Sequence, residues 1–291
     1  MTTERFIDAN GIRTRYVELG DGPSVVLFHG GHLGSAIDAC SGQDWQPVLS
    51  PMSRGFRVIA VDRLGHGGSD NPKTDSDYTI DASIRHAADF IQALNSGPCH
   101  VVGHSTGGFL AARLAIGHPE LVKSCVLADA VSLYPGTGRE HIVLAEPPKP
   151  YHSRDSLRWV SERQLCNSTA VDDAWIDHKL AIIRCDRNRI AVRKMNDDRL
   201  MATTYLPSFA RRLGPTYRHL LETGMPCPTL LTWSLEDPIG DISNGRLLVE
   251  MFQEKQPRTE VRYFNKAGHY SFREQPAAFS LMLRHYLAAI A

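Results

Sequence analysis

Short apolar runs recur along the chain at intervals too regular to be accidental. They read "SVVLFHG" ending at Gly30, "FRVIAVD" at Asp62, "CHVVGHS" at Ser105, "SCVLAD" at Asp129, "PTLLTWS" at Ser234 and "EVRYFN" at Asn265. None alternates cleanly between apolar and polar, which is the pattern of strands buried on both faces of a parallel sheet. Helical periodicity fills several intervals, notably 81–95 and 107–117. Ahead of them, two β-type runs at 4–9 and 12–18 flank Asn10-Gly11, a hairpin turn signal. The expectation is an α/β fold: a mostly parallel, doubly wound sheet.

One interval breaks the rhythm. Between Tyr134 and Tyr217 no strand-like run occurs, while "DSLRWVSERQL" and "DDAWIDHKLAIIR" carry helical periodicity behind the stiff entry "EPPKP" at 146–150. This predicts a helical cap over residues 134–217, inserted between core segments 1–133 and 218–291. The alternative is a set of extra helices packed alongside the sheet.

In doubly wound sheets ligands lie beyond the carboxyl ends of the strands, so the residues just past each run carry the chemical interest. Ser105 sits in Gly103-His104-Ser105-Thr106-Gly107, a G-x-S-x-G turn with a strand before it and a helix after. A serine hydroxyl needs an imidazole to take its proton, and the imidazole needs a carboxylate to hold its tautomer. Asp237 and His269 follow in the chain order this architecture uses, each just past a strand. Glu236 and Asp129 are the competing acids.

An oxyanion formed at Ser105 needs two N–H donors, each lowering the barrier by roughly two to four kcal/mol. The Thr106 amide is one candidate, and the Gly30-Gly31-His32 loop supplies the other, with Gly31 preferred. The stretch Asp62 to Gly68 reads mainly as scaffold. His29, His32 and His66 are joined by no carboxylate or cysteine at ligand spacing, so no metal is expected. No G-x-G-x-x-G or Walker-type loop follows a strand, so no nucleotide cofactor is implied.

Composition narrows the setting. In 291 residues, 42% of them hydrophobic, 32 basic side chains balance 32 acidic ones. The balance argues against a nucleic-acid or anionic-membrane partner and leaves a small molecule. Cysteines 40, 99, 125, 166, 185 and 227 show no CxxC spacing, which fits a reducing compartment. The charged N-terminus lacks the apolar core of a secretory signal, and no run of eighteen apolar residues occurs. A soluble, cytoplasmic protein is expected, with a homodimer as the ordinary assembly.

The phrases "HGG", "DRLGHGGSD", "GHSTGG", "LEDP" and "AGHYSFREQP" resemble the α/β-hydrolase superfamily over essentially the whole chain. Within it, "ERFIDANGIRTRYVELGDGPSVVLFHGG", "IRHAADFIQAL" and "VDDAWIDHKLAIIR" are most similar to the meta-cleavage product hydrolases, which cut a carbon–carbon bond in ring-fission products of aromatic degradation. The resemblance implies a triad of Ser105, Asp237 and His269 and no cofactor. It also carries departures. His104 stands where that family has asparagine, and Gly30-Gly31-His32-Leu33-Gly34 replaces a longer glycine run. Lys179 aligns with a substrate-binding cap arginine, and Tyr270 replaces a tryptophan. His32, His104, Lys179 and Tyr270 are thereby the expected substrate-binding residues. Ester or lactone hydrolysis needs the same triad and is the alternative chemistry, with cofactor-free perhydrolysis behind it. A non-catalytic binding protein on the same fold is the reading from outside enzymology.

Overall fold

A computed structural model describes residues 3–290 apart from positions 135, 137, 254, 257 and 258. The expected core and cap ranges therefore include residues 1, 2, 135, 137, 254, 257, 258 and 291, which lie outside the described residues.

The chain opens with a hairpin of β1 (Thr3–Ala9) and β2 (Ile12–Leu19) in which Ala9 pairs with Ile12. Asn10 and Gly11 both take positive φ, 55° and 81°, the primed turn that matches the twist of the flanking strands. Six further strands follow: β3 (Ser24–Phe28), β4 (Arg57–Val61), β5 (Cys99–His104), β6 (Val122–Ala128), β7 (Thr229–Ser234) and β8 (Thr259–Phe264). They form one eight-stranded sheet of order β1-β2-β4-β3-β5-β6-β7-β8. β2 meets β4 antiparallel, and from β4 to β8 every pair is parallel. The unalternated runs behave as their composition requires, because every residue of β3, β5 and β7 is buried.

Successive side chains point to opposite faces of the sheet, so each strand feeds two cores. Val26 and Phe28 join a layer with Phe90 and Phe109, from the helices Ile80–Leu94 and Thr106–Gly117. Val25 and Leu27 join a second layer with Trp45, Phe272 and Phe279, where Trp45 and Phe272 stack 3.9 Å apart.

Between β6 and β7 no strand occurs among the described residues. The two periodic stretches form the helices Arg154–Glu162 and Asp173–Arg184. Each starts at a capping side chain: Ser153 accepts from the Ser156 amide, and Asp172 from the Trp175 amide. A longer helix, Leu206–Glu222, runs straight through the boundary expected at 217/218. Its Ser208 hydroxyl accepts the Ile80 amide, tying it to the core helix below. Helical periodicity continues past Tyr217, so the pattern of apolar positions carries no mark at 217/218.

Candidate active site

Ser105 is the point where β5 ends and the helix Thr106–Gly117 begins. It sits at φ 52°, ψ −119°, a conformation costly for a residue with a side chain. A turn this tight demands bare neighbours. A β-carbon on Gly103 would collide with the Gly107 carbonyl oxygen, and one on Gly107 with the carbonyl oxygens of Phe28 and His29. The strain is therefore held by packing on both sides of the serine, and it lifts the hydroxyl to a helix N-terminus above the sheet.

His269 follows β8, and its Nδ1 lies 2.8 Å from Asp237 Oδ2, with both side chains buried. The other carboxylate oxygen of Asp237 accepts the amides of Ile239 (2.8 Å) and Gly240 (3.1 Å). Burial works against the charged imidazole, but Asp237, by charge and hydrogen bond, reverses this and raises the His269 pKa above the ordinary range. The His269 amide is tied to the Gln164 carbonyl at 2.7 Å. Ser105 and His269 line the same pocket, and among the described residues no hydrogen bond joins the hydroxyl to the ring; such contacts commonly tighten only when substrate binds.

The competing acids separate clearly. Glu236 is exposed and accepts the Ala267 amide, so it is turned away from the histidine. Asp129 is fully buried at the end of β6, where it accepts the Ser234 amide (2.7 Å) and the Ser271 hydroxyl (3.0 Å). Burial, then the neighbouring Asp237, pushes its pKa up to about 8. It braces the segments that carry Asp237 and His269 rather than bonding to the imidazole.

The cavity over Ser105 has two chambers. A small inner one of about 50 Å³ is lined by Gly31, His32, Ser35, Asp38, Ser105, Thr106, Gln164, His269 and Tyr270, among others. An outer one of about 470 Å³ is walled by Tyr134, Tyr205, Leu206, Phe209, Leu213 and Tyr217. His32, Ile37, Val131, Ser132, Glu140, Leu144 and Ile239 line both, so the chambers adjoin. Among these shared residues His32 Nε2 stands 3.5 Å from Glu140 Oε2.

Gly31 and Thr106 both line the inner chamber. Among the described residues no acceptor takes the N–H of Gly31 or of Thr106. The loops carrying them are joined by Thr106 Oγ1, which donates to the Gly31 carbonyl at 2.7 Å. Buried Arg63 donates to the carbonyls of Gly30 (2.7 Å) and Gly31 (2.5 Å), fixing the loop from behind.

A family model described as alpha/beta hydrolase fold matches residues 23–276. The chain belongs to the α/β-hydrolase fold family. This α/β hydrolase is 28% identical to a 2-hydroxy-6-oxo-6-(2'-aminophenyl)hexa-2,4-dienoic acid hydrolase of Metapseudomonas resinovorans, over 95% of this chain and 88% of that one. It is 27% identical to a 2-hydroxymuconate semialdehyde hydrolase of Pseudomonas sp. (strain CF600), over 98% and 93%. Among solved structures, a serine hydrolase involved in carbazole degradation superimposes with a TM-score of 0.74 at 25% identity, covering 99% of this chain and 100% of that one.

Two expected substrate-binding residues of this α/β hydrolase do not reach the cavity. Lys179 is buried, its Nζ 2.6 Å from Asp38 Oδ1 and 3.1 Å from the Ala39 carbonyl. Burial disfavours the ammonium, but Asp38 together with Cys40 and Asp44 outweighs it and raises the lysine pKa. The ion pair consumes Lys179, and it is Asp38 that lines the inner chamber. His104 is also fully buried, among Trp45, Tyr270 and Phe272. Its Nε2–H donates to the His269 carbonyl at 2.7 Å. Burial, then the nearby His269, lowers its pKa far below the ordinary range, so it stays neutral. It supports the backbone of His269 from below because the residue before Ser105 still belongs to β5 and points into the core. His32 and Tyr270 do line the inner chamber. Sequence reasoning missed Arg63, Asp38 and Glu140. Asp62, which accepts the Gly42 and Gly68 amides and pairs with Arg15, is the scaffold that the glycine-rich loop suggested.

Proposed function

We propose that this α/β hydrolase is a cofactor-free serine hydrolase that cleaves a carbon–carbon bond in a ring-fission product of the 2-hydroxy-6-oxo-dienoate type. Ser105 is the nucleophile, His269 the base and Asp237 its orienting acid. The observation that carries the reading is the division of the cavity. A polar inner chamber beside Ser105 and His269 fits the acidic, oxygen-rich half of such a molecule, and an aromatic outer chamber of about 470 Å³ takes the side group. Relatives bearing that activity in their names align over nearly the whole chain.

In the proposed reaction His269 first moves a proton on the substrate to give the ketonised form. Ser105, or a water activated by His269, then attacks the C6 carbonyl, and the oxyanion rests on the N–H groups of Gly31 and Thr106. The C5–C6 bond breaks, C5 takes a proton, and hydrolysis leaves a carboxylic acid on the side-group fragment. Hydroxyls of Ser35 and Tyr270 with the His32 imidazole orient the acidic half, in place of the Lys179 and His104 expected for it. Residues 134–217 act as the cap that closes the outer chamber over core segments 1–133 and 218–291. The four buried cysteines, all free, fit a cytoplasmic setting.

One observation favours ester or lactone hydrolysis as a second reading: among the described residues no lysine or arginine lines the inner chamber to clamp a carboxylate. Steady-state kinetics on a 6-aryl 2-hydroxy-6-oxo-dienoate and on p-nitrophenyl acetate separate the two. The first reading expects kcat/KM at least about a hundredfold higher on the dienoate, with an aryl carboxylic acid as product. Turnover of the ester alone transfers the assignment to the second reading. A strained serine held beside a histidine–aspartate pair argues against a purely binding role.

A further inference from the structure

The loop that carries the Gly31 amide is held from two sides. From the core, Arg63 and Thr106 donate to the carbonyls of Gly30 and Gly31. From the insertion between β6 and β7, three residues reach the positions that follow. His152 Nε2 lies 3.3 Å from the Ser35 carbonyl oxygen, and Asn196 Nδ2 donates to the Gly34 carbonyl at 2.9 Å. The third is Glu140, on the one-turn helix Glu140–Val143, which pairs with the side chain of His32, the residue directly after Gly31. Tyr205, also of the insertion, meets the His32 ring edge to face with centroids 6.3 Å apart.

Gly31 has no side chain to hold its own place. It sits at φ 83°, and a β-carbon there would meet Cys40 Sγ at 2.7 Å, so the position is closed to other residues. The direction of its N–H therefore depends on what grips its neighbours. Arg63 fixes the residue before it, and only the Glu140–His32 pair acts on the side chain directly after it. Burial disfavours a charge on Glu140, but His32, by hydrogen bond and charge, with His269 and His141 behind it, outweighs this and keeps the pKa below the ordinary range. We propose that Glu140 is a positioning residue for the oxyanion site, fixing the Gly31 N–H through His32 and so making the insertion part of the catalytic loop's support. The inference rests on the oxyanion role proposed for Gly31 and Thr106 and holds for a dienoate and an ester alike.

A double-mutant cycle on p-nitrophenyl acetate tests the coupling, because the acetyl group is too small to fill the outer chamber and report a direct contact with Glu140. Removing one oxyanion donor costs roughly a hundredfold to a thousandfold in kcat, so misdirecting one should cost about tenfold. Glu140→Ala should therefore lower kcat about tenfold with KM within about twofold, and Glu140→Gln, which keeps an acceptor for His32, should recover to within about threefold of the parent. In a His32→Ala background the further change Glu140→Ala should alter kcat less than about twofold, since the pair acts as a unit. Inhibition supplies a readout that a merely structural role would not move. Phenylboronic acid, whose adduct with Ser105 sets an oxygen in the oxyanion site, should bind Glu140→Ala about tenfold more weakly, while benzyl alcohol, which forms no such oxygen, should bind as before. Glu140 is half-exposed, and an unchanged melting temperature confirms that the variant folds. An unaltered kcat in Glu140→Ala, a loss that persists in full without His32, or equal weakening of both inhibitors would each overturn the proposal. Phenylboronic acid binding the parent no more tightly than benzyl alcohol would overturn the oxyanion reading itself, and the coupling with it.

Discussion

Replacing Asp237 with asparagine isolates what the buried acid does, because the structure dictates how the new side chain must sit. Asp237 Oδ1 accepts two amides, from Ile239 and Gly240. An asparagine can satisfy both only by leaving its carbonyl oxygen there, which forces the NH₂ group into the place of Oδ2, facing His269 Nδ1. Nδ1 then has to accept a hydrogen bond, so the ring proton moves to Nε2 and the imidazole can no longer take a proton from Ser105. The geometry survives in the wrong tautomer, and kcat should fall roughly ten-thousandfold, equivalent to about 5 kcal/mol. Melting temperature should change little. The pH profile offers a second reading of the same event. Asp237 raises the His269 pKa, so the acid limb of the parent enzyme's pH profile should lie higher than an unpaired histidine would place it. In the variant the acid limb should move to lower pH. Steady-state p-nitrophenyl acetate hydrolysis between pH 5 and 9 measures both. Retention of activity within tenfold would refute the argument. If that activity vanished only on adding Asp129→Asn, the acid role would pass to Asp129.

Asp129 by itself should behave as a brace. Its raised pKa means that the folded protein holds a proton the unfolded chain releases, so this stabilisation is complete below the ordinary aspartate pKa and is lost as pH rises through about 8. Asp129→Asn, which keeps both hydrogen bonds, should hold kcat within about threefold and gain in melting temperature relative to the parent from pH 7 to 9. Asp129→Ala, leaving the Ser234 amide unpaired, should cost about 1–3 kcal/mol in urea unfolding. Lys179→Met removes one partner of a buried ion pair and should cost about 3–5 kcal/mol, much of it recovered in Lys179→Met/Asp38→Asn; an unchanged melting temperature would contradict the pairing. His29, His66, His86 and His104 are buried with lowered pKa values, chiefly through desolvation, His86 to about 4. The unfolded chain takes up protons that these four refuse, so each should contribute about 1.4 kcal/mol of lost stability per pH unit below 6.5. Thermal melts from pH 7.5 to 5 should show a steep decline, and a flat profile would contradict the assignment.

The strands and the serine turn were legible because they rest on local signals. An unbroken apolar run flanked by glycine has few other uses, and the residues around Ser105 encode a turn that only bare neighbours permit. The pairing of His269 with Asp237 was legible through chain order and through their places just past strands. The choice among Asp237, Glu236 and Asp129 turned on long-range geometry: which carboxylate meets Nδ1, and which is spent on the amides of other segments. Lys179 and His104 show the limit most plainly. Alignment gives a residue its place along the chain, but Asp38, 141 positions away, decides whether the ammonium faces the cavity. Arg63 was hidden for the opposite reason, since its two shortest side-chain hydrogen bonds go to carbonyl oxygens, which leave no trace in composition. The end expected for the helical insertion has no local signal, because a helix crosses it without a change of periodicity.

The assignment of Ser105 as the reacting oxygen can be tested directly by mass mapping of the protein after exposure to a fluorophosphonate. The account predicts one adduct per chain, carried by the peptide containing Ser105, absent from Ser105→Ala and formed far more slowly in His269→Ala. Labelling at another residue, or an equal rate without the histidine, would contradict it.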